Sequence, residues 1–158
     1  MKILILIFAL ISVTRAVTFN CTFRMVSHTT LPSTYSCNPA TLSNINETET
    51  LTAVYGTHMS GKSNADVGYL YMYDELSLTF FPNGIEIFFP NLTAIHIHHC
   101  NINNLNGHEL DAFVNLTWFA LYYQPQLERI PGNLFANTPL VNTAYLHNNN
   151  IKHVGENL

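Results

Sequence analysis

Apolar residues return at a nearly fixed interval through the second half of this chain, and that interval limits the fold more than any other feature. Residues 92–105, LTAIHIHHCNINNL, place apolar side chains at Leu92, Ile95, Ile97, Cys100, Ile102 and Leu105. A step of 24 residues reaches Leu116, Phe119 and Leu121, then Gln124, and a one-residue insertion around Pro125 carries the pattern on to Leu127 and Ile130. A further 25 residues reach Val141, Ala144, Leu146, Asn149, Ile151 and Val154. Stepping back 24 from Leu92 gives a degenerate row at Gly68, Tyr71, Tyr73, Leu76, Leu78 and Phe81. Such a unit cannot bury its apolar face alone, so neighbours must stack and share one continuous core.

The spacing L-x-x-L-x-L-x-x-C-x-L over residues 68–158, clearest in NLFANTPLVNTAYLHNNNIKHV, resembles the leucine-rich repeat. The resemblance implies an α/β solenoid of about 3.5 repeats with a parallel β-sheet on its concave face. In each repeat a short strand turns its leucine-type residues inward, and a polar residue at the following turn bonds to neighbouring backbone. Cys100 occupies the turn position that Asn149 holds two repeats on, so a buried structural thiol is expected there rather than a reactive one.

The first half reads differently. Residues 1–16, MKILILIFALISVTRA, have the charged start, apolar middle and small-residue end of a secretory signal peptide, with a run too short to span a bilayer. No later stretch is long or apolar enough to do so, and the mature chain, from near Val17, is expected to be secreted and extracellular. Residues 17–67 lack the repeat and read as an N-terminal cap, with strands at VTFNCTFRM and TLTAVYG. Cys21 and Cys37 are placed to close a 17-residue loop, a bridge contributing about 3 kcal/mol by the loop-entropy argument. Asn20, Asn46, Asn91 and Asn115 each open an N-x-Thr sequon and are candidate glycan acceptors. Asn91 and Asn115 hold the same place in successive repeats, so glycans there would line one flank and leave the concave face open. Without Lys2 and Arg15, four of the six basic residues remain against ten acidic ones, a net charge of −6 that makes nucleic acid and anionic membrane poor partners.

One segment imitates a catalytic motif. GTHMSGKS, residues 56–63, has the spacing of a phosphate-binding loop. Such a loop needs a helix N-terminus directly after it. Only SNADV stands between Ser63 and the first repeat, too little for a crossover helix. The junction from YGTHMSGKSNADV into FFPNLTAIHIHHC resembles secreted insect-type leucine-rich repeat proteins, related to the repeats of Toll-type receptor ectodomains. There a polar, glycine-bearing turn leads from cap to first repeat. That resemblance implies partner recognition, with no cofactor and no catalysis. The acidic residues are scattered and residues 78–158 contain no serine, so no nucleophile is placed beside a base.

With the strands so placed, the concave face can be written in columns. Leu70, Ala94, Trp118 and Thr143 form one, and Met72, His96, Ala120 and Tyr145 the next. Asp74, His98, Tyr122 and His147 follow, then Glu75, His99, Tyr123 and Asn148. The expected binding surface for an extracellular protein or glycan is therefore His96, His98, His99, Trp118, Tyr122, Tyr123, Tyr145 and His147. Large rigid aromatics of this kind are enriched at interface hot spots, although they also suit any strand surface. HIHH suggests a metal pair or a pH response as alternative functions, but His96 and His98 lack a third ligand nearby and no metal site is expected. The chain ends within a repeat and without a C-terminal cap, which leads to the expectation of a truncated longer protein or of self-association through the uncapped C-terminal repeat.

Overall fold

A computed structural model of the protein describes residues 16–28, 31–40, 45, 47 and 49–158. The residues before Ala16, read above as a signal peptide, and the sequon residue Asn46 lie outside the described residues. Nearly all the regular structure is strand. In chain order, these are β1 (Ala16–His28), β2 (Leu31–Ala40), β3 (Thr50–Tyr55), β4 (Tyr69–Tyr73), β5 (Ala94–His98), β6 (Trp118–Tyr122), β7 (Arg129–Ile130), β8 (Thr143–Tyr145) and β9 (His153–Val154). Seven of them form one sheet in the order β3-β1-β2-β4-β5-β6-β8, while β7 and β9 form a separate parallel pair. The chain from β4 to β8 is a strand solenoid of about three turns.

The solenoid strands stack parallel and without a slip, Tyr69 opposite Ala94, Ala94 opposite Trp118 and Trp118 opposite Thr143. The steps are therefore 25, 24 and 25 residues. The uniform step of 24 back from Leu92 misplaces the first row by one position, and in a strand one position exchanges the two faces. Leu70 and Met72, expected on the concave surface, are fully buried in the core, while Tyr69, Tyr71 and Tyr73 take the opposite face of the sheet. The physical reason is in the side chains themselves. A leucine and a methionine lose nothing in a dry interior, whereas three tyrosine hydroxyls each need a partner or water.

The interior follows the repeat. Val67, Leu70 and Met72 from the first turn are buried with Leu92, Ile95, Ile97, Ile102, Leu116, Phe119, Leu121, Leu127 and Ile130 from the next two. The last turn is more open, with Val141 and Leu146 half-buried and Ala144 and Val154 exposed. Phe135, Val141, Ala144, Leu146 and Leu158 there border a cavity of about 410 Å3. Each concave strand is followed by a residue in the left-handed region: Asp74, His99, Tyr123 and Asn148, with φ between 54° and 57°. The recurring kink sends the chain inward to the turn position. There the Gln124 amide donates to Tyr122 O at 2.9 Å and its carbonyl accepts from Ile102 N at 3.0 Å. Asn149 repeats the device one turn on, donating to Leu121 O and Leu146 O and accepting from Gln124 N. Cys100, 1% exposed and unpaired, donates its thiol hydrogen to His98 O.

Helix is limited among the described residues to α1 (Ile85–Phe88) and a three-residue 3-10 turn at Asn64–Asp66. The helical half of the expected α/β architecture is thus nearly absent. The return segments explain it: NINNLNGHE carries four asparagines and a glycine, and Pro125, Pro131 and Pro139 interrupt the rest. These residues favour successive turns over a continuous helix.

The cap joins the same sheet. β1 and β2 form an antiparallel hairpin bridged by Cys21–Cys37, with Cα atoms 5.2 Å apart. β3 runs parallel to β1, and β2 attaches the cap to β4 through Ser36 and Cys37. β2 contains Pro32 and Pro39, which lie beyond that short pairing with β4. GTHMSGKS forms the loop between β3 and the 3-10 turn. Gly56 has φ 131°, and a Cβ there would lie 2.2 Å from Cys21 O, so the close approach needs glycine. His58 stacks on Phe23 and hydrogen-bonds the Tyr35 hydroxyl. Lys62 pairs with Asp66 at 3.3 Å, and the Ser63 N–H and hydroxyl both donate to the same carboxylate. The phosphate-loop spacing is therefore occupied by a side-chain-capped turn packed on the cap.

Candidate concave-face site

Alternation in the strands divides the chemistry into two faces. Inward positions of β4, β5 and β6 are aliphatic or Phe, and the opposite positions are Tyr69, Tyr71, Tyr73, Ala94, His96, His98, Trp118, Ala120 and Tyr122. In-register stacking then lays these into rows across the sheet. Tyr71, His96, Ala120 and Tyr145 stand abreast, and so do Tyr73, His98 and Tyr122.

The rings touch throughout. Tyr69, Tyr71 and Tyr73 stack down β4 with centroids about 6 Å apart. Tyr71 lies 4.7 Å from His96, and Tyr73 lies 5.0 Å from His98. His98 meets Tyr122 at 4.6 Å and Tyr123 at 5.2 Å, and Tyr122 stacks on His147 at 4.6 Å. His99 pairs through Nδ1 with the Asp74 carboxylate at the strand ends. The structure thus brings His96, His98, His99, Trp118, Tyr122, Tyr123, Tyr145 and His147 onto one surface. It adds Tyr69, Tyr71 and Tyr73, which a 24-residue step hides, and Arg24 from the cap.

The members differ in access. Trp118 is 4% exposed and His96 7%, both sunk between taller rings. Trp118 packs with Tyr69, Ala94 and Ala120 as a small second core on the concave side. Tyr123, Tyr73 and Tyr145 are the open tyrosines, at 45%, 43% and 37%, and His99 and His147 are exposed with them. The Tyr69 hydroxyl and His96 Nδ1 share a buried hydrogen bond of 2.7 Å. Burial raises the Tyr69 phenol above its ordinary value, and it does so for Tyr71 and Tyr122, where neighbouring phenols add to it. His98 is pushed below the usual imidazole value, first by burial and then by His99, so it favours the neutral form. Asp74 is held below the usual carboxylate range by its bond from His99.

Two hollows open on this surface. One of about 370 Å3 lies between Tyr69, Tyr71, His96, His98 and Tyr122 on the sheet and Arg24, Val26 and Ser27 on β1. The other, of about 170 Å3, is bordered by His96, Trp118, Tyr122, Tyr145 and His147. The first falls in the size range of small-ligand clefts, which are mostly apolar with a few polar groups. Among the described residues no group of three or more His, Cys, Asp or Glu side chains is arranged to hold a metal ion.

The sequon positions separate by location. Asn91 and Asn115 are exposed in equivalent turns just ahead of β5 and β6, and the Asn91 amide donates to Ala65 O. Asn20 is exposed on β1 and shares the face of Arg24, four residues on. Arg24 pairs with Ser36, and Ser36 with Tyr69, so a glycan on Asn20 would stand at the cap end of the aromatic face. Among the described residues no helix is long and apolar enough to cross a membrane. Comparison of the chain with known protein families, with curated proteins and with solved structures finds no match.

Proposed function

We propose that this is a secreted solenoid of the leucine-rich repeat type that recognises an extracellular protein or glycan through its concave face, and that it catalyses no reaction. One observation carries the reading. Four strands in unbroken register gather tyrosine, histidine and tryptophan on one face while the other face supplies the aliphatic core. A strand surface selected only for solubility has no need of rings in contact across four strands. The repeat spacing and the polar ladder at Gln124 and Asn149 support the leucine-rich repeat assignment, and the Cys21–Cys37 bridge fits an oxidising compartment.

The test uses the half-buried Tyr122 and the exposed Tyr145, because removing the buried Trp118 would disturb packing as well as binding. Tyr122→Ser with Tyr145→Ser strips two ring faces from the middle of the surface. The double variant should lose capture of partners from extracellular fluid at least tenfold while its melting temperature stays within a few degrees of wild type. Undiminished capture by a folded double variant refutes the reading.

A further inference from the structure

The smaller hollow has a construction that ordinary strand packing does not require. Beneath it lies Ala120, fully buried under the rings of β6 and its neighbours and not itself lining the hollow. Trp118 and Tyr122 stand two residues to either side along the strand, and His96 and Tyr145 are its direct neighbours across the sheet. A single methyl group is thus surrounded by four rings, and His147 closes the remaining corner.

The five rings form a closed circuit. Successive centroids are separated by 5.7 Å from Trp118 to Tyr145, 6.1 Å to His147, 4.6 Å to Tyr122, 4.9 Å to His96 and 5.4 Å back to Trp118. A regular flat pentagon with edges of this length would have its centre about 4.5 Å from each centroid, inside the ~6 Å over which a ring face attracts a cation. Four of the five contacts are tilted or edge-on, at 40° to 89°, and only Tyr122 and His147 stack face to face, so the rings do not collapse into one flat stack. The hollow they enclose, about 170 Å3, admits a head group rather than a whole large ligand.

The electrostatics select the sign of that group. No Lys, Arg, Asp or Glu borders the hollow, and Arg24 borders only the neighbouring groove. The chain carries a formal net charge of −4, so a cation approaches an attractive molecule. Ring faces are electron-rich, and an alkylated ammonium is easily taken from water compared with a compact inorganic cation.

We propose that this pit binds the alkylammonium head of a small molecule. The inference rests on the concave face being a binding face, and it adds a ligand of defined chemistry at one point of it.

Trp118 is the protein's one tryptophan and forms a wall of the pit, so its fluorescence reports occupancy directly. The experiment titrates the full chain at pH 8 with choline and, separately, with 3,3-dimethylbutan-1-ol, its uncharged counterpart of the same shape. Calorimetry serves as a second readout. Choline should give a saturable change and bind at least tenfold more tightly than the alcohol. Ala120→Leu, which displaces the rings packed over it, and Tyr145→Leu, which removes an exposed wall, should each weaken choline at least tenfold, with melting temperature retained in Tyr145→Leu. Equal binding of choline and the alcohol overturns the proposal, as does an affinity within twofold of wild type in both folded variants. Tighter binding of a trimethyllysine peptide than of choline overturns the assignment to a small molecule. Failure of choline with intact partner capture removes the pit alone. Loss of the capture result with choline still bound removes the partner reading alone.

Discussion

Gln124→Met is the sharpest test of what holds successive turns together. Gln124 is fully buried behind the kink at Tyr123, and its side chain makes two bonds to backbone. One fills the Ile102 N–H in the preceding turn, and the other fills Tyr122 O in its own. Methionine has nearly the same length and volume, so the substitution removes both bonds while opening almost no cavity. A buried N–H left without a partner costs about 1–3 kcal/mol, and the partly buried bond to Tyr122 about 1 kcal/mol more. The expected loss is therefore about 2–4 kcal/mol, roughly 5–15 °C in Tm for a domain of this size. Urea unfolding followed by circular dichroism measures it, with an unchanged m-value showing that the unfolded state is the same. Gln126→Met, at an exposed position two residues on, is the control and should change stability by less than about 0.5 kcal/mol. If Gln124→Met matches that control, the polar ladder does not stabilise the stack and the argument for it fails.

Two predictions concern titration. Burial pushes the Cys100 thiol up to about 11, which leaves a thiolate fraction at pH 8 roughly 200-fold below that of an ordinary cysteine. Iodoacetamide should therefore modify Cys100 at least 100-fold more slowly in the native protein than in urea, and a native rate within tenfold of the unfolded one contradicts the buried placement. Burial first, and His99 second, lower the His98 imidazole, so the unfolded chain holds more protons at that position than the folded one. Its contribution is complete above about pH 6.5 and is lost as pH falls through the lower folded value. Tm should fall between pH 7.5 and 5, and His98→Gln should make that fall shallower; an unchanged slope refutes it. Asp74, lowered by its bond from His99, acts in the same direction but only below about pH 4, outside that window.

The periodicity of the sequence translates directly into the stacked strands wherever the inward residues are aliphatic. Ile95 and Ile97, and then Phe119 and Leu121, alternate with alanine, histidine or aromatic neighbours, and all four are buried as that alternation requires. In YLYMY every residue is apolar by a coarse measure, so alternation alone does not tell the faces apart. The discriminating signal is finer: three residues with a hydroxyl alternate with two without, and only one register lets the hydroxyls leave the core. β2 is harder still. LPSTYSCNPA carries two prolines and reads as a break, and its place between β1 and β4 depends on the Cys21–Cys37 bridge and on partners distant in sequence.

The candidate site shows the same division between composition and arrangement. Histidines and aromatics at 96, 98, 118, 122, 145 and 147 are legible as one surface once the period is known, because each follows from its own strand. What each can do depends on its neighbours across the strands. Trp118 stands in a column with two small or short residues, Ala94 and Thr143, and is therefore enclosed rather than displayed. Ala120 contributes least to any count of interface residues, yet its small side chain lets the rings around it pack low over the strand. A larger side chain there would push Trp118, Tyr122, His96 and Tyr145 out of their present packing, and the hollow above would lose its shape. The capacity to bind a head group therefore lies in the single small residue among large ones, and Ala120→Leu should remove it without removing a single aromatic ring.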